Sequence, residues 1–106
     1  MNAGILGKAS LTAATITNIY TVPASTLANY AIKVCNRNAS PVTVRLALSA
    51  VSVTQANDEF IEYNTTIPAY GVLERTGGLL QTGKIITAYS DTANVTVLVD
   101  GFEEAA

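Results

Sequence analysis

The sequence predicts an all-β domain, an antiparallel sandwich of about eight strands, and three observations carry that expectation. Val, Ile and Thr make up 32 of the 106 residues, and β-branched side chains pack well on a pleated sheet but lose rotamer freedom in a helix. Apolar and polar residues alternate with the period of two expected of strands that bury one face. Turn residues recur at close to the spacing of an antiparallel sandwich, about 8–12 residues.

Strands are expected near Gly4–Leu11, Thr15–Val22, Ala28–Asn36, Val42–Ala50, Glu59–Asn64, Gly71–Arg75, Lys84–Ser90 and Asn94–Phe102. In the third, Tyr30, Ile32 and Val34 oppose Asn29, Ala31 and Lys33. In the fourth, VTVRLALS places Val42, Val44, Leu46 and Leu48 on a buried face and Thr43, Arg45, Ala47 and Ser49 on a wet one. The eighth sets Val95, Val97 and Val99 against Thr96 and Asp100, with Leu98 breaking the polar side. Pro23, Pro41 and Pro68 stand at strand boundaries, where a missing N–H costs no ladder bond. Gly77-Gly78 and Gly83 bracket the longest glycine-rich connection, and Asp91-Thr92-Ala93-Asn94 is the best hairpin turn because Asp and Asn tolerate turn geometry. Ser49–Asp58 carries weak helical spacing but is short and uncapped, so a loop or short turn is expected there. The whole chain, 1–106, reads as one sandwich domain.

Composition excludes whole classes of activity. With no His there is no Ser-His-Asp or Cys-His arrangement and no zinc site of the common mixed kind. A non-enzymatic protein without cofactor or metal is expected. Six Lys and Arg are scattered along a chain of net charge −2, so no basic stripe offers itself to a phosphate backbone, and nucleic acid is not expected as a partner. No apolar run approaches a membrane span and MNAGILGKAS does not read as a signal peptide, so neither a membrane partner nor export by the usual route is expected.

Several residues invite chemical readings. Cys35 stands beside Arg37, which favours a thiolate, but a lone Cys in a strand reads better as a small apolar residue. Asp58, Glu59 and Glu62 form the densest acidic run, yet their spacing suits neither a calcium loop nor a glycosidase carboxylate pair, and a charged strand edge is expected. The triplets beginning at Asn38, Asn64 and Asn94 fit the glycosylation pattern and are read as products of a chain rich in Asn and Thr. Five tyrosines (20, 30, 63, 70 and 89) suggest a sugar-stacking platform or a protein interface.

The segments GKASLTAATITNIYTVPAST, IKVCNRNASPVTVRLALS and DEFIEYNTTIPAYGVLERTGGLLQTGKIITAYSDTANVTVLVDGFEE together cover nearly the whole chain. In the order of their strand ends and turns they resemble small virion structural proteins of tailed bacteriophages. The resemblance implies a jelly-roll sandwich and a homotrimer. It also implies a virion location, most simply the outside of the capsid after synthesis in the host cytoplasm, with the major capsid protein or another virion structural protein as partner. The function it implies is that of a decoration (cement) protein, with a neck, tail or fibre-base component or a host-glycan-binding module as alternatives.

Contacts with neighbours are expected from Tyr70, Val72, Leu73, Leu79 and Leu80, which otherwise cap the core. Arg45 and Arg75 are expected to fork onto a neighbour's carboxylate. Ile5 and Leu6 lie in a segment, 1–7, that forms either an extended arm docking on another molecule or the first strand of the sandwich itself.

Overall fold

Each alternating run becomes a strand in the computed structural model, which describes residues 3–51 and 54–106. The eight strands among these residues are β1 (Ala3–Leu11), β2 (Thr17–Thr21), β3 (Thr26–Asn36), β4 (Val42–Ser49), β5 (Phe60–Ile67), β6 (Val72–Gln81), β7 (Ile85–Ser90) and β8 (Val95–Ala105). They form two four-stranded sheets, ordered β1-β8-β3-β6 and β2-β7-β4-β5, with every ladder antiparallel. The first strand pairs with the last, the second with the seventh, the third with the sixth and the fourth with the fifth. That is the pairing of one long hairpin rolled up into a jelly roll.

This topology corrects the reading of one turn. Among the described residues, β4 and β5 are the only consecutive strands that share a ladder, and the 91–94 turn carries the chain from β7 in one sheet to β8 in the other. Its local chemistry is as expected. Asn94 takes a left-handed φ of 63°, and the Ser90 hydroxyl donates to the Thr92 carbonyl at 2.8 Å. Turn residues set only the reversal; the sheet each strand joins follows from which faces are apolar, and both β7 and β8 bury one.

The core lies between the sheets. Ile32 and Val34 of β3, Val95, Val97 and Val99 of β8, Val42, Val44 and Leu46 of β4, Ile67 of β5 and Ile86 of β7 are all buried. Burial of a side chain of this size is worth roughly 1.5–3 kcal/mol. In β4 the expected alternation fails near its end, where Ala47 and Ser49 are buried and Leu48 is only half-buried. A 3₁₀ turn at Asn57–Glu59 packs against β4, and Ser49 Oγ lies 3.0 Å from Thr87 Oγ1 on the same covered face. Among the described residues between β4 and β5 there is this short turn and no α-helix. The Glu59 carboxylate closes it by accepting from the Ala50 and Ala56 amides at 3.0 and 2.9 Å.

Several strands run past their expected ends: β5 reaches Ile67 and β8 reaches Ala105. Strand β6 continues past Arg75 to Gln81 with a bulge at Thr76-Gly77: Ile32 faces Arg75 and Tyr30 faces Gly78, leaving Ala31 of β3 opposite two residues of β6. Residues 3–7 belong to β1, hydrogen-bonded to β8 of the same chain, with Leu6 as an extra residue between the Ile5 and Gly7 pairings. The first-strand account therefore holds for these residues and the free arm does not, while Met1 and Asn2 lie outside the described residues.

Candidate functional site

The outward face of the β1-β8-β3-β6 sheet carries several exposed large apolar side chains. Phe102, 49% exposed, faces Ala3 across one ladder and Asn29 across the next, and Asn29 in turn faces Leu79, 59% exposed. Ile5, 60% exposed, stands in the adjoining row opposite Asp100. Next to these runs the cross-strand row Gly4, Gly101, Tyr30, Gly78, in which three of four positions are glycine. Neither Gly101 nor Gly78 accepts a side chain. A Cβ on Gly101, whose φ is 148°, would fall 1.9 Å from the Asn29 carbonyl oxygen, and one on Gly78 would fall 2.1 Å from Tyr30 Cζ.

A shallow, open depression of about 480 Å³ lies on this face, with Asn29, Tyr30, Gly78, Asp100, Gly101 and Phe102 among its lining residues. Polar groups ring it. Lys33 Nζ donates to Asp100 Oδ2 at 2.8 Å, which raises the ammonium above its ordinary pKa, and Asn29 Nδ2 donates to Glu104 Oε1 at 2.9 Å. Two aromatic residues, Tyr30 and Phe102, thus line the depression together with the ion-paired Asp100.

A second apolar surface lies at one end of the sandwich, on the turn joining β5 to β6. Tyr70 is 69% exposed with a left-handed φ of 57°, an unusual conformation for a bulky residue. Its turn is held from beneath by the fully buried Asn36. Asn36 Nδ2 lies within hydrogen-bonding distance of the Ser40, Ile67 and Pro68 carbonyls at 2.9, 3.2 and 2.9 Å, and Asn36 Oδ1 accepts from the Asn38 amide at 2.9 Å. The Tyr70 amide donates to the Asn38 carbonyl at 3.1 Å, and Gly71 closes the turn onto Pro68 at 2.8 Å. Val72, 58% exposed, follows directly.

No known protein family, curated protein or solved structure matches this chain.

The other expected contact residues fall in different places. Leu80 is a core residue opposite Ala28 and presents nothing to a neighbour, and Leu73 is half-buried against the core. The reason is the continuation of β6, which turns Leu80 inward and Leu79 outward. Leu6 likewise packs on the core. Arg75 is engaged within the chain: it forms an ion pair with Glu62 across the open edge between β6 and β5. Thr65 Oγ1 donates to the same carboxylate at 2.7 Å, and this bond, with help from Arg75 and against partial burial, lowers the Glu62 pKa. Arg45 donates from Nε to Asn64 Oδ1 at 2.7 Å and stacks over Tyr63 and Tyr89, its Cζ 4.5 and 5.2 Å from their ring centres.

The remaining candidates are structural in placement. Cys35 is half-buried on the outward face, opposite Thr96 and Val72. The three Asn of the glycosylation-like triplets serve the backbone or its neighbours: Asn64 and Asn94 adopt left-handed φ, and Asn38 donates to the Ala93 carbonyl at 2.8 Å. Among the described residues no cluster of three or more His, Cys, Asp or Glu is arranged to hold a metal ion. Phe102, Gly101 and Asn36 escaped sequence reasoning. Counting in twos from Val99 does assign Gly101 to the inward side and Phe102 to the outward one, but nothing local announces the role of Asn36.

Proposed function

We propose that this chain is a non-enzymatic structural protein of a tailed-phage virion, a decoration protein that clamps neighbouring major capsid subunits as a homotrimer. One observation carries the reading: two apolar surfaces, the sheet face around Phe102 and the turn at Tyr70, lie at separate places on one sandwich. Exposed apolar surface of this kind marks places where other molecules dock. A molecule with two of them is suited to sit between neighbours, and repetition around a shell multiplies modest single contacts. The whole-length resemblance to phage virion proteins supplies the setting.

The glycan-binding alternative draws less support. Tyr63, one of the exposed rings, already has the Arg45 guanidinium over it and Phe60 edge-on at 5.0 Å. Neck, tail and fibre-base roles rest on the same surfaces and are separated by partner.

The test is to titrate the protein onto undecorated capsids and follow their melting. A ligand that binds the assembled shell but not its separated parts raises the shell's apparent stability, so a saturable rise is expected. Ile5→Asp, on the edge strand β1, should reduce that rise. If saturating protein neither binds shells nor shifts their melting, the cement reading fails, and purified necks, tails and fibres become the assemblies to try.

A further inference from the structure

We infer that Arg45, with Tyr63, Asn64 and Tyr89 around it, is a docking site for an aspartate or glutamate side chain of a protein partner, gripped by the open end of the Arg45 guanidinium. Val44 and Leu46 on either side of it are buried, so Arg45 stands on the outward face of the β2-β7-β4-β5 sheet. One irregularity in the β4–β5 ladder gathers the other residues there. Val44 pairs with Thr65 and Leu46 with Glu62, so Arg45 alone stands opposite two residues, Tyr63 and Asn64. A bulge of this kind re-aims side chains. Asn64 takes up the extra residue with a left-handed φ of 53°, a conformation that asparagine tolerates better than most residues. On the other side of β4, Arg45 pairs directly with Tyr89 of β7.

The result is a cation fixed in place before any partner arrives. Its Cζ lies over the Tyr63 ring at 4.5 Å and over the Tyr89 ring at 5.2 Å, and the two rings come from strands on opposite sides of β4. Phe60 packs edge-on against Tyr63 at 5.0 Å. Arg45 Nε donates to Asn64 Oδ1 at 2.7 Å. That leaves the end of the guanidinium, Nη1 and Nη2, which form no hydrogen bond among the described residues and are not buried. Both ion pairs among the described residues, Lys33–Asp100 and Arg75–Glu62, lie elsewhere. Acidic residues outnumber basic ones by eight to six in this chain, yet none of them neutralises Arg45.

The open end selects the ligand. Two parallel N–H donors in one plane match the two oxygens of a carboxylate, and the aromatic rings to either side leave that end as the approach. The setting favours a protein over a small molecule. A small acid needs a concave site that buries most of its surface, whereas Tyr63 is 58% exposed and stands out from a sheet face. Tyrosine and arginine are also among the side chains that most often anchor protein interfaces, and a group already held in place gives up less freedom on binding. The inference goes beyond the virion reading and does not rest on it.

The experiment titrates the full chain at low salt with a capped glycine peptide carrying one glutamate, and with its glutamine counterpart, following the Arg45 Nε–H and the Tyr63 and Tyr89 ring signals by NMR. The glutamate peptide should shift these signals saturably and the glutamine peptide should not. Arg45→Lys keeps the charge but loses the planar fork, and should weaken binding by at least about tenfold. Asn64→Asp leaves Arg45 in place but sets a carboxylate of the chain itself beside it, and should weaken binding by a similar factor; melting confirms that both variants fold. Lys8→Gln removes an exposed charge from the other sheet and should bind as the wild type does. The inference is overturned by no response to the glutamate peptide, by equal responses to the two peptides, or by a folded Arg45→Lys or Asn64→Asp chain that binds as tightly as the wild type. A Lys8→Gln chain weakened as much as Arg45→Lys also overturns it. So does tighter binding of inorganic phosphate or glucuronic acid at the same signals, which would assign the site to a phosphate or an acidic sugar. A chain that binds the peptide but ignores capsid shells loses only the decoration role, and one that stabilises shells but ignores the peptide loses only this site.

Discussion

Tyr20 on β2 donates its phenolic hydrogen to Glu103 Oε2 on β8 at 2.5 Å, so a hydrogen bond to a carboxylate joins the two sheets within the sandwich. Both residues are buried. Desolvation, reinforced by the hydrogen bond and the negative charge of Glu103, raises the Tyr20 pKa above its ordinary value. A raised pKa means that the folded state holds the proton more tightly than the unfolded one. The resulting stability is complete below the ordinary phenol value, about pH 10, and is lost as pH rises through the higher folded value. Tyr20→Phe should lower stability at neutral pH by about 1.5–3 kcal/mol, the range for hydrogen bonds to charged groups. Urea unfolding from pH 8 to 11 should show the wild type losing stability at the alkaline end more steeply than the variant. Equal slopes would refute the assignment.

Glu62 and Arg75 give the opposite sign. Its bond from Thr65, aided by Arg75, holds the Glu62 carboxyl below the usual range, so the site stabilises the fold above the ordinary glutamate value and that contribution fades as pH falls. Both side chains are partly open to solvent, which keeps the contribution to at most about 1 kcal/mol. Glu62→Gln should cost that much at pH 7 and progressively less as pH falls below the ordinary glutamate value, measured by denaturation at low salt. A cost that persists unchanged in acid would show that packing at the β5–β6 edge, rather than charge, matters.

Asn36 concentrates more hydrogen bonds than any exposed polar group of the fold, and it does so with a fully buried side chain. Asn36→Ala removes the donor shared by three carbonyls around the Tyr70 turn, and stranded buried polar groups are costly. A loss of about 2–4 kcal/mol is expected, together with faster amide exchange at Tyr70 and Gly71. Normal exchange there would show that the turn stands without Asn36.

Strand positions were legible in the sequence because a half-buried strand writes its face directly into the order of residues. Tyr30, Ile32 and Val34, and again Val95, Val97 and Val99, point inward as their alternation requires. The pairing of β1 with β8 and β2 with β7 was not legible in that way, since it depends on how distant faces fit together; the jelly roll was reached through resemblance. Gly77-Gly78 misled for a definite reason: a bulge and a loop use the same residue, and only the partner strand distinguishes them. The candidate surface was legible in part. Tyr70, Val72, Leu79 and Ile5 are exposed, but the register that aligns Gly4, Gly101 and Gly78 with Tyr30 joins strands distant in the sequence. No single stretch of sequence contains that coincidence.

Gly78 tests whether that alignment is required for packing. An added Cβ would fall 2.1 Å from Tyr30 Cζ and 2.5 Å from its hydroxyl oxygen, closer than atoms approach, so Gly78→Ala forces the Tyr30 ring out of its buried position. Overpacking of this kind costs about 1–3 kcal/mol. The clash is with one side chain, so its removal should relieve the cost. In a Tyr30→Leu background, Gly78→Ala should be close to neutral, and the coupling between the two sites should fall within the 0.5–3 kcal/mol or so typical of residues in direct contact. Urea denaturation of the wild type, both single variants and the double variant provides the cycle. Strict additivity would mean that the glycine is kept for its backbone alone and that the ring above it is incidental.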